Sequence, residues 1–162
     1  MTGSRKLLIV GGITLAALGM LYGLHYAIFV EHQTLDGMGS SLAAGFMHVA
    51  DRHMPEAQAS IEAYGQVKYN YVRQVDIHSH WIGLAMLMIV LGAIFDSVSF
   101  DEPARWWIAL SLLVGAVMFP LGVILQTVHH GGAVPSAMTV AGSALVILAL
   151  SAVVIGLARS PA

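Results

Sequence analysis

The sequence contains no cysteine and few charged residues. Without cysteine, the chain has no disulfides, thiolate metal sites, iron–sulfur clusters or covalently attached c-type haem. Only 10% of its 162 residues are charged and 57% are hydrophobic, whereas soluble domains carry about 25% charged residues. The net charge of −2 gives no electrostatic support for nucleic-acid binding. We therefore predict a single transmembrane domain, 1–162, that contacts the lipid bilayer.

Four apolar stretches are long enough to span a membrane, which takes about 20 residues. They cover about 7–30, 77–95, 106–128 and 134–157. This pattern predicts an all-α fold, an integral membrane four-helix bundle. The first stretch is too long for the apolar part of a signal peptide, so we expect a retained anchor. Tryptophans lie near the span ends, as expected of interfacial anchors: Trp81, Trp106 and Trp107.

Basic residues mark one side of these spans. They precede the first span, lie between the second and third, and follow the fourth: Arg5, Lys6, Arg105 and Arg159. Cytoplasmic segments carry an excess of lysine and arginine. The segment 31–76 contains three basic residues, but six acidic residues accompany them. The distribution therefore predicts that both termini are cytoplasmic and that the segment 31–76 is outside. We expect the membrane to be the inner, cytoplasmic membrane.

The segment 31–76 is too long to be a plain connector. We interpret the glycine-rich stretch 37–40 as a break, followed by a short amphipathic helix over about 42–52. Proline is tolerated in the first turn of a helix, so Pro55 can open the next one. The sequence then predicts one long helix over about 55–96, which extends helix 2 of the bundle by roughly five turns outside the membrane.

Small residues in the last two spans indicate close helix packing, because they let two backbones approach. The third span offers Gly115 and Gly122. The fourth span offers four alanines, which we expect to face them: Ala137, Ala141, Ala144 and Ala152.

Eight histidines stand out among the few polar residues. With the predicted topology they all lie in the outer half of the membrane or outside it: His25, His32, His48, His53, His78, His80, His129 and His130. An imidazole in lipid is costly and usually functional, and neutral imidazole is the commonest metal ligand. Since helix bundles build cofactor sites from facing helices, we predict a cofactor site at this level.

Two histidines from different helices can hold a haem iron between them. The candidates are His25, one of His78 and His80, and one of His129 and His130. Successive helical residues turn by about 100°, so the two members of each neighbouring pair must point in different directions.

Polar residues one turn before these histidines are candidates to hydrogen-bond the second ring nitrogen. We predict that Asp76 does so for His80, Gln74 for His78, and Gln126 for His130. Five tyrosines are candidates for lining a redox or quinone pocket nearby: Tyr22, Tyr26, Tyr64, Tyr69 and Tyr71.

Four spans with intramembrane histidines resemble the small four-helix membrane cytochromes b, in architecture. The resemblance implies haem b and electron transfer at the outer membrane face, with quinone as a redox partner, by an oxidoreductase or a subunit of one. Two-haem members of such families place histidines near both faces. All the histidines of this chain lie on one side, which predicts a single haem level or no haem.

Two alternatives follow from the same residues. The first is a non-haem copper, zinc or iron site built on Asp76, His78 and His80, and completed by His25, His48 or His129. The second is an accessory subunit that stabilises a larger membrane complex or a homo-oligomer through its glycine- and alanine-rich helix faces.

Overall fold

The computed structural model describes residues 1–128 and 132–159, and the regular structure in that part of the chain is helical. The helices are α1 (Gly3–Phe29), α2 (Glu31–Ala50), α3 (Met54–Ile94), α4 (Glu102–Val128) and α5 (Ala133–Ala158), with a 3₁₀ turn at Phe95–Ser97 after α3. Four of these helices, α1, α3, α4 and α5, are long and apolar enough to cross a membrane. The prediction of an all-α protein with four membrane-length apolar helices is therefore confirmed.

The chain divides into two compact units. The bundle unit consists of residues 1–20 and 77–162, described except for 129–131 and 160–162. It contains the first part of α1, the second part of α3, and all of α4 and α5. The hairpin unit consists of residues 21–76, which form the end of α1, all of α2 and the first part of α3.

In the bundle unit, α1 and α3 pack closely at two glycines. A Cβ on Gly12 would lie 2.9 Å from the carbonyl oxygen of Ala85. A Cβ on Gly92 would lie 2.6 Å from Cγ1 of Ile9. Both distances are too short for a real side chain, so the contact between the helices requires glycine at each point.

The contact between α4 and α5 is similarly close. A Cβ on Gly122 would lie 2.6 Å from the backbone nitrogen of Thr139, and one on Gly142 would lie 2.5 Å from that of Phe119. The buried residues of α5 recur at intervals of three, four or seven, as in helices that pack side by side: Pro135, Gly142, Val146, Ala149, Val153 and Gly156. This face of α5 holds the two helices together.

Three of the four alanines predicted to face α4 do not form this contact. Ala137, Ala141 and Ala144 are exposed, so for them the prediction had the wrong face of α5. Ala152 is half-buried and lines a surface depression together with Trp107 of α4. The physical reason is the size of the residue next to Ala141. Gly142 allows its backbone to approach that of Phe119 more closely than an alanine would, and the helix turns this face inward.

Polar residues join the helices at one end of the bundle unit. Glu102 of α4 accepts hydrogen bonds from Ser4 of α1, at 2.8 Å from its backbone N–H and 3.1 Å from its hydroxyl. Arg105 pairs with the same carboxylate at 3.2 Å. Arg5 donates to Asp96, beyond the end of α3, at 3.0 Å. Ser4 is fully buried, so its unpaired N–H at the helix start is satisfied by a neighbouring helix.

In the hairpin unit, α2 is longer than predicted and runs through the glycine-rich stretch 37–40. The predicted break is therefore wrong. A glycine costs about 1 kcal/mol in a helix, and the packing of Gly37 and Gly45 against α3 offsets part of this cost. A Cβ on Gly37 would lie 3.8 Å from Cγ1 of Val67. Gly45 is buried, and a Cβ on it would lie 3.6 Å from that of Ser60 and 3.8 Å from Cγ1 of Ile61.

A tight turn joins α2 to α3. Arg52 has φ 61°, its N–H donates to Val49 O at 3.0 Å, and the N–H of His53 donates to His48 O at 2.8 Å. These two bonds and the left-handed residue define a Schellman motif. Pro55 then lies in the first turn of α3, as the sequence predicted.

Candidate functional site

His78 is fixed to a neighbouring helix through one ring nitrogen. It lies on α3 in the bundle unit, is half-buried, and has its Nδ1 3.0 Å from the carbonyl oxygen of Gly19 on α1. Because a carbonyl oxygen only accepts hydrogen bonds, Nδ1 is the nitrogen that carries the proton. In the neutral ring, the other nitrogen, Nε2, then keeps its lone pair. Histidines that bind metals commonly have this arrangement, since the bond to a carbonyl fixes both tautomer and ring orientation.

Gly19 makes this contact available because it has no side chain. A Cβ there would lie 3.1 Å from both Cβ of Trp81 and Cδ1 of Ile82, so the glycine brings α1 close to α3. Trp81 is only 8% exposed. Its ring is buried inside the bundle unit, and the prediction that it is an interfacial anchor is wrong.

His80 points to a different helix. Its ring centroid lies 4.7 Å from that of Phe119 on α4, with 57° between the ring planes. Two residues of helix turn the chain by about 200°, which is why His78 contacts α1 and His80 contacts α4. The expectation that the two cannot share one direction is confirmed.

Gln126 adds a buried polar group to this end of the bundle unit. It is 8% exposed, and its amide donates to Thr139 Oγ1 of α5 at 3.3 Å. The hydroxyl of Thr139 in turn donates to Pro135 O at 3.0 Å. The predicted partner of Gln126, His130, lies outside the described residues together with His129.

The predicted tyrosine set is only partly brought together, in the hairpin unit. The Tyr22 hydroxyl donates to Oε1 of Gln74, the residue predicted to support His78. The rings of Tyr26 and Tyr71 lie 6.5 Å apart, and Tyr26 is 8% exposed. These contacts join the end of α1 to α3.

The other two tyrosines contact cations of their own helix. Lys68 Nζ lies 5.8 Å from the ring centre of Tyr64, and the Arg73 guanidinium lies 5.2 Å from that of Tyr69. Each pair is four residues apart on α3, where side chains of one face meet. Asp76 is half-buried and lines a shallow surface depression with both cations.

The remaining histidines of the hairpin unit have separate surroundings. His25 is exposed on α1, with its ring 5.4 Å from that of Phe29 one turn later. The rings of His48 and His53 lie 6.5 Å apart across the turn between α2 and α3. His32 is exposed on α2.

Within residues 1–128 and 132–159, no three side chains of histidine, aspartate or glutamate gather closely enough to hold a metal ion. The predicted non-haem set includes His129, which is not in that part of the chain. This set, like the choice of haem ligands, stays a prediction.

Comparisons with protein families, with curated proteins and with solved structures find no match to this chain.

The sequence did not indicate Gly19, Phe119 or Thr139 as part of this region. Gly19 acts through its backbone carbonyl, which no side-chain pattern reveals. Phe119 lies directly before Pro120 in α4, and its side chain has no polar group that would mark a site. Thr139 carried a usable signal, since it is a hydroxyl on the inward stripe of α5, four residues after Pro135 and three before Gly142.

Proposed function

We propose that this chain is a membrane haem-b protein that transfers electrons at the outer membrane face, with His78 as one axial ligand. The observation that carries the proposal is the contact between His78 Nδ1 and the Gly19 carbonyl. It supports a ring held by the protein itself, with Nε2 free to bind iron. Bound haem supplies one-electron chemistry, and the protein residues hold and orient it.

The second axial ligand comes from His129 or His130, which directly follow α4 in the sequence. His80 fits this role less well, because it shares α3 with His78 and turns towards Phe119. Buried Trp81 and Gln126 support a site from which bulk water is partly excluded.

The orientation belongs to the same proposal. Both termini are cytoplasmic, and α2 with the first part of α3 lies outside the inner, cytoplasmic membrane. The basic residues at the three cytoplasmic positions support this arrangement. So does the charge on the hairpin segment, where α3 carries Glu56, Glu62, Lys68, Arg73 and Asp76. Tyr22, hydrogen-bonded to Gln74, supports quinone as a partner, because it places a phenol and an amide together.

An optical spectrum of the purified protein tests the proposal. After expression with sufficient haem, we expect a Soret band and a reduced-minus-oxidised spectrum of b type. The informative variant is His78→Asn. The asparagine amide reaches about as far as Nδ1 and can still donate to the Gly19 carbonyl, but it lacks the second nitrogen. We expect normal helix content by circular dichroism and at least a twofold loss of bound haem.

His32→Ala is the matched control, because His32 is exposed on α2 and should leave the haem content unchanged. Absence of a Soret band in the unaltered protein would reject the haem proposal. An unchanged spectrum and haem content in His78→Asn would reject His78 as the ligand and leave it a packing residue.

Metal analysis of the same sample separates the alternatives. Stoichiometric copper, zinc or iron without a Soret band favours the non-haem site, and an empty protein that co-purifies with a larger complex favours an accessory subunit.

A further inference from the structure

An open groove of about 530 Å³ runs along the bundle unit between α1 and α4. Lys6 and Trp106 line one end, and Leu18 and Val117 line the other. Apart from Lys6 and the hydroxyl of Thr14, the side chains that line it are hydrocarbon or aromatic. The groove is therefore apolar along its length and has a lysine ammonium group at one end.

The length of the groove matches one leaflet of a bilayer. From Lys6 to Leu18, α1 rises by about 18 Å at 1.5 Å per residue. Half of the hydrocarbon core of a membrane measures about 15 Å. Both α1 and α4 are long and apolar enough to span the membrane, so the groove has the depth that a single acyl chain occupies.

The charge at the groove end is unpaired. Arg5 and Arg105 form the ion pairs of this end, with Asp96 and Glu102 as their acceptors. Lys6, which lines the groove, is exposed and takes part in no ion pair among the residues that the structure describes. An ammonium group at the end of an acyl-chain groove is where a lipid phosphate would lie.

Trp106 supports the same placement. It lies beside this end of the groove and is 39% exposed. Tryptophan is enriched at the level of the lipid headgroups, because its ring is apolar and its N–H is polar. Lys6 and Trp106 together therefore mark the headgroup end of the groove.

We propose that this groove binds one anionic phospholipid, with an acyl chain along α1 and α4 and the phosphate at Lys6. A second copy of the chain is a less suitable occupant, because it would bury the lysine charge without a partner. The proposal uses none of the histidines and is independent of the haem proposal.

Native mass spectrometry of the full-length protein tests the groove. The protein is reconstituted in nanodiscs with equal amounts of dioleoyl phosphatidylglycerol and dioleoyl phosphatidylcholine, and the adducts that survive release are counted. We expect one retained phosphatidylglycerol, favoured at least threefold over phosphatidylcholine. Lys6→Gln should reduce this ratio to about one. Lys68→Gln, which removes the other lysine of the chain, should leave it unchanged.

A second pair of variants tests the acyl-chain position. Thr14→Phe fills the groove and should remove the retained lipid of either kind. Ile13→Phe is the control, because Ile13 is 55% exposed on the same helix and does not line the groove. Equal retention of both lipids by the unaltered protein, or an unchanged ratio in Lys6→Gln, would overturn the proposal. So would a lipid-free dimer that Thr14→Phe dissociates, because the groove would then be a contact between copies.

Discussion

At the scale of the residue, Arg52 holds a backbone conformation that residues with a side chain rarely adopt. Its φ is 61°, the left-handed region, which costs roughly 1–2 kcal/mol for such a residue. The Schellman motif at this position usually contains glycine. We predict that Arg52→Gly stabilises the protein by about 0.5–1 kcal/mol, after the larger entropy of the unfolded glycine is allowed for. Denaturation in detergent, followed by circular dichroism, measures the change.

Asp51→Gly provides the control for this prediction. Asp51 is the neighbouring residue and has φ −82°, which any residue adopts without strain. Glycine there relieves nothing and should leave stability unchanged or lower it. A loss of stability in Arg52→Gly as large as that in Asp51→Gly would mean that the arginine side chain, rather than the backbone, determines the turn.

His78 and His80 show what single residues reveal before a structure is known. Helical rotation alone predicts that they point in different directions, and the contacts with Gly19 and Phe119 confirm it. Rotation does not tell which of the two is fixed through a ring nitrogen. That choice depends on a carbonyl 59 residues away in the sequence, and a backbone carbonyl has no sequence signal.

At the scale of the element, the contact between α4 and α5 depends on Gly142. A Cβ there would meet the backbone of Phe119, at 2.5 Å from its nitrogen and 2.9 Å from its Cα. Backbone cannot move aside as a side-chain end can, so the helices must separate. We predict that Gly142→Ala destabilises the bundle by about 1–3 kcal/mol, the usual cost of overpacking. The midpoint of unfolding in mixed detergent measures it.

Gly83→Ala is the comparison for this change, since nothing lies within 4 Å of a Cβ at Gly83. Alanine is the better helix former, and the variant should be neutral or slightly more stable. Equal destabilisation by the two substitutions would assign the effect to helix propensity or to lipid contact, and would contradict a close contact at Gly142.

The bounds of the helices were more predictable than the side of each helix that packs inward. The last two spans, predicted at 106–128 and 134–157, correspond to α4 (Glu102–Val128) and α5 (Ala133–Ala158), because apolar length alone defines a membrane helix. The inward face of α5 was misjudged, since glycine and alanine both count as small in a sequence. Only the distance between two backbones shows that Gly142 is required. The sequence also did not predict that α2 is continuous. The low helix propensity of glycine predicts a break, and the contact of Gly45 with α3 is visible only in the structure.

At the scale of the whole molecule, composition shows that the chain belongs in a membrane. It does not show which distant charged residues pair. Arg5 and Arg105 were noted only as signs of orientation. The structure pairs Arg5 with Asp96, which lies 91 residues away in the sequence. Such a pair arises when helix ends meet, and no local pattern indicates it. The pair of Arg105 and Glu102 is different, because three residues of one helix separate them and this spacing is visible in the sequence. What holds for Arg5 and Asp96 applies also to the proposed haem site, because histidines far apart in the sequence share a site only through tertiary packing.

The last prediction concerns the orientation of the protein in the membrane. Because the chain contains no cysteine, each introduced cysteine is the only thiol that can react. Single cysteines are introduced at exposed positions in three segments: Gly65→Cys in α3 of the hairpin unit, Asp101→Cys before α4, and Ala133→Cys at the start of α5. With both termini cytoplasmic, Gly65→Cys and Ala133→Cys should react with a membrane-impermeant maleimide on intact cells. Asp101→Cys should react only after permeabilisation.

Labelling of denatured protein shows that each thiol is present, and equal labelling there makes the accessibility comparison valid. If only Asp101→Cys reacts on intact cells, the orientation is the opposite of the one proposed. The histidine-bearing end of the bundle unit then lies at the cytoplasmic face. The proposed electron transfer would then serve a cytoplasmic partner, while His78 and its bond to Gly19 would be unaffected. The experiment thus tests the side of the membrane on which the site acts, separately from whether haem binds.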